Sequence, residues 1–145
     1  MVQPVRIQMH RTIGFNLQQH SKSINGLECV LVSRQSKFGN PFKLMGDMIY
    51  VDAFHRRKIL SRWVLYYDDG GHTVEEVVEL FKSGFLMNRI GYEAEPAILE
   101  RFKIMKEHIK GLRGKNLACF CSVTAGTDCC HADFLLKVAN AIILK

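Results

Sequence analysis

The chain has 145 residues, of which 48% are hydrophobic and 23% are charged, which suits one ordinary globular domain. Twenty Lys and Arg residues against 14 Asp and Glu give a net charge of +6, which favours anionic partners such as nucleotides or nucleic acid. No stretch approaches the roughly 20 apolar residues that span a bilayer, and the five cysteines accompany no export signal, so we expect a cytoplasmic protein with no membrane partner and no disulfide framework.

The first part of the chain predicts two short strands joined by a loop. Residues 5–9 have the composition of a short strand, whereas residues 11–25 are polar and lack a helical period, so they predict an ordered loop. The letters ECVLVS, residues 28–33, are typical of a buried strand. Turn-forming residues follow it, and the segment FKLMGDMIYV then predicts a small hairpin about Gly46 and Asp47.

Three helices are predicted in the middle of the chain. Residues 52–67 carry apolar side chains along one side of a helix. Thr73 and Glu76 form a capping box that begins the second helix, and Gly84 stands where a C-terminal glycine belongs. The third helix begins at Pro96 and carries an apolar stripe. Stripes of this kind indicate core packing rather than a cofactor site.

The last part of the chain predicts a buried strand followed by a helix. The letters KNLACFC, residues 115–121, place Leu117 and Phe120 on opposite faces, and both faces are expected to be buried. Residues 134–142 then carry the apolar side of a final helix. Because strands and helices alternate through much of the chain, we predict a single α/β domain over residues 1–145, with a small mixed or partly parallel sheet flanked by helices.

Four of the five cysteines and a histidine lie where this last strand ends and the last helix begins. Cys119 and Cys121 are two residues apart on a strand and therefore point the same way. Cys130 and His131 stand at the start of the helix, where a thiolate or another anion is favoured. A short connection keeps such ends close, so Cys121, Cys130 and His131 are expected to converge on a polar pocket.

Three roles remain open for this cluster. Free cysteines most often serve as small buried hydrophobes, which is the interpretation we favour for Cys119 alone. The set Cys119, Cys121, Cys130 and His131 fits tetrahedral zinc, although adjacent ligands strain one tetrahedron, so zinc is the second choice. The first choice is a pocket without cofactor, in which Cys121, Cys130, His131 and Asp133 supply a thiol nucleophile with its base or a His–Asp acid/base pair.

A second polar cluster follows the predicted strand of residues 28–33. Arg34 and Lys37 bring two cations to a turn at Gly39 and Asn40, where the glycine permits close backbone approach. Such a turn resembles a cradle for phosphate or carboxylate. A solvated turn with two ordinary surface cations explains the same pattern equally well.

Four segments occur along the chain in one order: RIQMHRTIGF, SKFGNPF, LRGKNLACFC and CCHADFLLKVAN. This order resembles the small bacterial and phage family catalogued as domain of unknown function 4326, whose pattern has tryptophan at the positions of Phe38 and Phe120 and lacks Cys129. The resemblance implies a phage or mobile-element setting but no reaction. It marks these residues as functional: Arg11, Gly14, Lys37, Gly39, Asn40, Pro41, Cys119, Cys121, Cys130, His131 and Asp133.

Taken together, these patterns favour an enzyme that acts on a nucleotide or a nucleic-acid base. The loop cations Arg34 and Lys37, the turn at Gly39 and Asn40, and Arg11 from the resemblance would bind the substrate anion, while the Cys/His/Asp pocket would supply the chemistry. One alternative is a non-catalytic nucleic-acid-binding module stabilised by zinc. Another is a phage protein that sequesters a small nucleotide or blocks a host enzyme.

Overall fold

The computed structural model describes residues 2–33, 36–45, 48–55, 58–66, 73–87, 96–120 and 130–141. They form an α/β protein with one parallel and one antiparallel three-stranded sheet, which confirms the predicted fold class and its partly parallel sheet. In the described part of the chain, no helix is both long enough and apolar enough to cross a membrane.

The described elements, in chain order, are β1 (Arg6–Gln8), α1 (Leu17–Asn25), β2 (Cys29–Leu31), β3 (Phe42–Met45), β4 (Met48–His55), β5 (Lys58–Tyr66), α2 (Val74–Met87), α3 (Pro96–His108), β6 (Asn116–Cys119) and α4 (His131–Ala139). A 3₁₀ turn at Ile109–Leu112 follows α3.

The chain divides into two compact units. One comprises Met1–Ser33 and His108–Lys145 and contains the parallel sheet, so we call it the parallel unit. The other comprises Arg34–Glu107 and contains the antiparallel sheet, so we call it the antiparallel unit. The single domain expected over residues 1–145 stays a prediction.

The sheet of the parallel unit has β6 at its centre, between β1 and β2. Both neighbours run parallel to β6, and all four residues of β6 are buried. Burial on both faces suits the apolar residues Leu117 to Cys119, and the first residue, Asn116, is a buried polar exception. The three strands expected within residues 5–9, 28–33 and 115–121 are therefore confirmed, each shorter than its sequence pattern.

Helix α1 corrects the loop expected over residues 11–25. Asn16 caps the helix by accepting the backbone N–H of Gln19, and Gly26, at φ 81°, ends it with an N–H bond to the carbonyl of Lys22. Ser21 is the one buried residue of α1, so the helix has almost no apolar stripe. Its polar composition hid the helical period, whereas its two caps were visible in the sequence.

A polar network links α1 to the first residue of β6. Asn116 is fully buried, and it exchanges two amide hydrogen bonds with Asn25, of 2.9 and 2.8 Å. Its Nδ2 also donates to Ser21 Oγ at 2.8 Å, and its Oδ1 accepts the N–H of Val5 at 2.9 Å. A buried amide needs such partners, and here each half of the side chain has two of them.

In the antiparallel unit, β3 and β4 form the predicted hairpin, although its turn residues Gly46 and Asp47 lie outside the described residues. The helix expected over residues 52–67 is wrong, because β4 and β5 pair there as antiparallel strands. The segment is rich in β-branched and aromatic residues, which suit a strand. Asp52, fully buried, also bonds Arg62 on the opposite strand at 2.6 and 2.9 Å.

Helices α2 and α3 begin where the sequence predicts. The N–H of Glu76 bonds Thr73 Oγ1 at 3.3 Å, and α3 starts at Pro96. Helix α2 continues past Gly84 to Met87, so Gly84 is not a C-terminal glycine. A Cβ at Gly84 would lie 2.5 Å from the ring of Phe102, so the missing side chain allows that ring to pack closely.

Candidate metal centre

The three residues of the candidate centre lie at the carboxyl edge of the parallel sheet. Cys119 is the last residue of β6, Cys130 is the N-cap of α4, and His131 is the first residue of that helix. The helix predicted over residues 134–142 is confirmed as far as Ala139 and starts earlier, at His131, while residue 142 lies outside the described residues. Ligand sites of α/β proteins usually occupy this edge.

The donor atoms of Cys119, Cys130 and His131 all lie within 4.8 Å of one another. The Cys130 Sγ to His131 Nδ1 distance is 3.7 Å. In a tetrahedral zinc site, bond lengths of about 2.3 Å to sulfur and 2.0–2.1 Å to nitrogen separate neighbouring ligand atoms by about 3.6–3.8 Å. The three donors are therefore spaced closely enough for one ion to bind them all after small side-chain adjustments.

The adjacency of Cys130 and His131 does not prevent their side chains from meeting. Cys130 is extended, with φ −148° and ψ 143°, whereas His131 begins the helix. This change of backbone conformation turns the two side chains toward each other. The strain expected from adjacent ligands is thereby reduced.

The hydrogen bond of His131 determines which of its ring nitrogens faces Cys130. Its Nε2 lies 2.6 Å from the carbonyl oxygen of Val32. A carbonyl oxygen only accepts, so Nε2 carries a proton and donates it, and Nδ1 is the ring nitrogen that faces Cys130. Metal-binding histidines typically donate their second ring N–H to a backbone carbonyl or a carboxylate in this way.

Cys130 also contacts the N-terminus of α4. Its sulfur accepts the backbone N–H of Ala132 at 3.5 Å. The exposed fractions of Cys119, Cys130 and His131 are 6%, 2% and 5%, so all three are buried. Cys119, for which the sequence favoured a small core residue and left a zinc ligand as the second choice, is both buried and the third donor of this cluster.

Asp133 forms an ion pair that the sequence did not predict. Its Oδ1 accepts a hydrogen bond from Arg6 Nε at 3.0 Å, and the two side chains are 14% and 5% exposed. Its Oδ2 is buried and has no hydrogen-bond partner in the described part of the chain. The expected His131–Asp133 acid/base pair stays a prediction, since the contacts described for His131 are to Cys130 and Val32 and that of Asp133 is to Arg6.

Two predicted site residues, Cys121 and Arg34, lie outside the described residues, as does Cys129. The catalytic and metal-binding roles expected of Cys121, and the anion-binding role expected of Arg34, stay predictions. Among residues that sequence reasoning missed, Arg6 could have been noticed as a charged residue within a short buried strand. Val32 contributes only its backbone carbonyl, which no side-chain pattern signals.

The turn expected to bind an anion belongs to the antiparallel unit, where Arg101 contacts its carbonyls. The Arg101 guanidinium donates to Ser36 O at 2.8 Å and to Gly39 O at 3.1 and 3.2 Å. The N–H of Gly39 itself donates to Ser36 O at 2.9 Å. The turn thus offers oxygens to an arginine of its own unit. Arg101 was missed because it lies 62 residues from Gly39.

Asn40 has an equally structural set of contacts. It is 7% exposed, its Oδ1 accepts the N–H of Phe42 at 2.9 Å, and its Nδ2 donates to Val77 O at 3.4 Å. The ammonium group of Lys37 lies 5.7 Å from the ring of Phe38. Anion binding by this turn stays a prediction, and these contacts explain the residues without it.

Phe120 corrects the burial expected of the last strand. Strand β6 ends one residue earlier, at Cys119, and Phe120 is 37% exposed. The guanidinium of Arg11 lies 4.4 Å from its ring centroid. Although β6 is the central strand, Phe120 is therefore a surface residue with a cation beside it.

Comparison with known proteins places the chain in one family. A family model described as "Domain of unknown function (DUF4326)" matches residues 15–141. The chain belongs to this family. The match spans all three donors of the candidate centre, so this DUF4326 protein carries its cluster within the family's own domain. No curated protein and no solved structure is significantly similar to the chain.

Proposed function

We propose that this DUF4326 protein binds one zinc ion through Cys119, Cys130 and His131. The observation that carries the proposal is the convergence of three donor atoms within 4.8 Å of one another. The orientation of His131 supports it, since the Nε2–H bond to Val32 turns Nδ1 toward the sulfur of Cys130, as in histidines that bind a metal through their other ring nitrogen.

Zinc suits this donor set better than other common ions. Two cysteine sulfurs and one imidazole form a soft to borderline ligand set, whereas magnesium and calcium prefer oxygen ligands. Zinc also accepts tetrahedral geometry with three protein ligands and a fourth from water, substrate or a further side chain. Cys121, which the sequence indicates as a ligand, is the first side chain to test for the fourth position.

The proposed role of the ion is structural. It would fasten the end of β6, at Cys119, to the start of α4, at Cys130 and His131. The burial of all three donors favours this role, since a metal held inside the fold contributes its binding free energy to folding. The protein would then be a zinc-stabilised binding module, one of the alternatives that the sequence leaves open.

A metal-free thiol nucleophile is the second candidate, because Nδ1 of His131 lies 3.7 Å from Cys130 Sγ and Val32 orients the ring. This arrangement would serve the nucleotide-directed enzyme that the sequence favours. It gives no role to Cys119, however, and Cys130 is 2% exposed. We therefore rank it below zinc.

Metal analysis of purified protein tests the proposal, with Cys29 as a matched control. Cys29 is a buried cysteine of the same sheet that lies outside the cluster. Wild type and Cys29→Ala are expected to carry about one zinc per chain, and Cys130→Ser and His131→Ala to carry little. A chelator should lower the Tm of wild type and Cys29→Ala but not that of Cys130→Ser or His131→Ala. Wild-type protein that stays free of zinc after incubation with a stoichiometric amount would overturn the proposal.

A further inference from the structure

We propose that the parallel unit binds single-stranded nucleic acid on a surface formed by His10, Arg11, Phe15, His20 and Phe120, hereafter the aromatic surface. The proposal does not depend on zinc. It rests on the ring contacts of these residues, on their exposure and on the distribution of charge along the chain.

The first part of the aromatic surface is the pair of Arg11 and Phe120. The guanidinium lies 4.4 Å from the ring centroid, and Phe120 is 37% exposed while Arg11 is exposed as well. An accessible aromatic ring is a stacking partner for an unpaired base. A guanidinium beside it can stack on a base or bind the phosphate that joins two nucleotides.

The second part is a group of three rings around Phe15. His10 meets Phe15 edge-on with ring centroids 5.4 Å apart, and His20 lies on Phe15 with centroids 5.3 Å apart. Both histidines are exposed, and Phe15 is half-buried. His10 and Arg11 are consecutive, so the chain links the two groups of rings directly.

The segment that carries these residues leaves the sheet at its carboxyl edge. The N–H of Met9 donates to Cys119 O at 2.7 Å, so the chain after β1 starts beside the end of β6, where Phe120 follows. Ile13 is fully exposed and Gly14 has a φ of +87°. The segment is therefore accessible to a ligand from solvent.

The charge of the chain is concentrated in the unit that bears the aromatic surface. The parallel unit has eight Lys and Arg against three Asp and Glu, and the antiparallel unit has 12 against 11. Five of the six net positive charges thus belong to the parallel unit. A phosphate backbone is the anion that such a charge attracts most strongly.

Single strands fit this surface better than duplexes. In a duplex the base faces are stacked inside the helix and cannot reach an exposed phenylalanine, whereas single strands offer every base face for stacking. The exposed rings would then contribute binding free energy that a purely basic surface lacks. This difference separates the proposal from general attraction between a basic protein and DNA.

The test is fluorescence anisotropy of the full chain, as purified, with a labelled oligothymidylate of about 12 nucleotides. Phe120→Ala and Arg11→Ala are each expected to weaken binding about fivefold or more, since base stacking contributes about 1–3 kcal/mol per base. Lys110→Ala removes one exposed charge of the same unit, and Ile24→Ala shortens one exposed apolar side chain. Both controls should stay within about twofold of wild type, and wild-type affinity should fall steeply with salt.

Three outcomes would overturn the proposal. The first is no binding of the oligonucleotide at low salt. The second is an equal loss in Arg11→Ala and Lys110→Ala with none in Phe120→Ala, which indicates charge alone. The third is binding of the matching duplex, or of thymidine monophosphate, as tight as that of the single strand.

Discussion

Each unit contains polar residues that follow a strand in sequence, but the contacts of these residues differ between the two units. In both, polar residues follow a buried strand, at Cys130 and His131 in the parallel unit and at Gly39 and Asn40 in the antiparallel unit. The first pair turns donor atoms toward a shared point with Cys119. The second pair bonds its own backbone and neighbouring carbonyls. A polar turn after a strand thus indicates where a site could lie, and its hydrogen bonds show whether its groups are already used.

The cores of the two units differ in the kind of residue that they bury. The antiparallel unit packs three aromatic rings together, those of Phe42, Phe81 and Phe102. The sheet of the parallel unit packs small residues such as Cys29 and Ala118 and contains the buried amide of Asn116. We infer that aromatic burial dominates the stability of the antiparallel unit, whereas polar contacts, and in our proposal a metal, contribute more to the parallel unit.

The largest expected effect compares one phenylalanine from each unit. Phe102 is fully buried, with ring centroids 6.2 Å from Phe42 and 5.5 Å from Phe81. Phe102→Ala should lower the free energy of unfolding by about 3–5 kcal/mol. Phe120→Ala should cost below about 1 kcal/mol, because that ring lies on the surface. Urea denaturation measures both, and equal losses would contradict the surface position of Phe120 and the aromatic core around Phe102.

The polar network of the parallel unit gives the next effect. Asn116→Ala leaves the Val5 N–H, the Asn25 amide and the Ser21 hydroxyl without their partner, and should cost about 2–3 kcal/mol. Asn140→Ala is the control, since its side chain also bonds the backbone but is only partly buried. We expect it to cost about 1 kcal/mol or less. Denaturation curves that give the same loss of unfolding free energy for Asn116→Ala and Asn140→Ala would contradict a stabilising network.

A smaller effect is expected in the turn of the antiparallel unit. Arg101→Lys keeps the charge but loses the planar fork that reaches two carbonyls, at a cost of about 1–2 kcal/mol. Amide hydrogen exchange should become faster across residues 36–40. Unchanged protection there would mean that Arg101 does not hold the turn, and would reopen the anion-binding role predicted for it.

The last effect is confined to alkaline pH and concerns Cys29, with little expected at neutral pH. Burial raises the pKa of its thiol from 9.0 to about 11, and a hydrogen bond with Ser21 partly offsets this. Because the folded-state pKa is the higher one, the contribution of the protonated thiol is present below about pH 9 and is lost as the pH rises toward about 11. Between about pH 9 and pH 11, the free energy of unfolding should fall more steeply with pH for wild type than for Cys29→Ala. Parallel pH profiles would show that the thiol titrates normally.

Much of the fold could be predicted because its buried strands and amphipathic helices leave clear patterns. Strand β6 is apolar from Leu117 to Cys119, α2 begins with the Thr73 cap, and α3 begins at Pro96. Helix α1 was missed because only Ser21 is buried on it. Residues 52–67 were assigned to a helix because their apolar spacing fits either structure, and the pairing of β4 with β5 is not visible in a local pattern.

The candidate centre was predictable in part for similar reasons. The meeting of a strand end with a helix start placed Cys130 and His131 at one edge, and the strand period allowed Cys119 to join them. The bond from His131 to Val32 could not be foreseen, because every residue has a backbone carbonyl. The pair of Arg6 and Asp133 forms where β1 pairs in parallel with a strand far along the chain, as between Arg6 and Leu117, which are 111 residues apart.

Cobalt substitution tests the proposed zinc centre most directly. Co²⁺ takes the same tetrahedral sites as zinc and reports its geometry and its sulfur ligands by absorption. Wild-type protein and Cys29→Ala loaded with Co²⁺ should show the intense visible bands of a tetrahedral site with sulfur-to-metal charge transfer, and Cys130→Ser should lose much of that charge transfer. The weak spectrum of the free aquo ion in wild-type protein would contradict a metal centre at Cys119, Cys130 and His131.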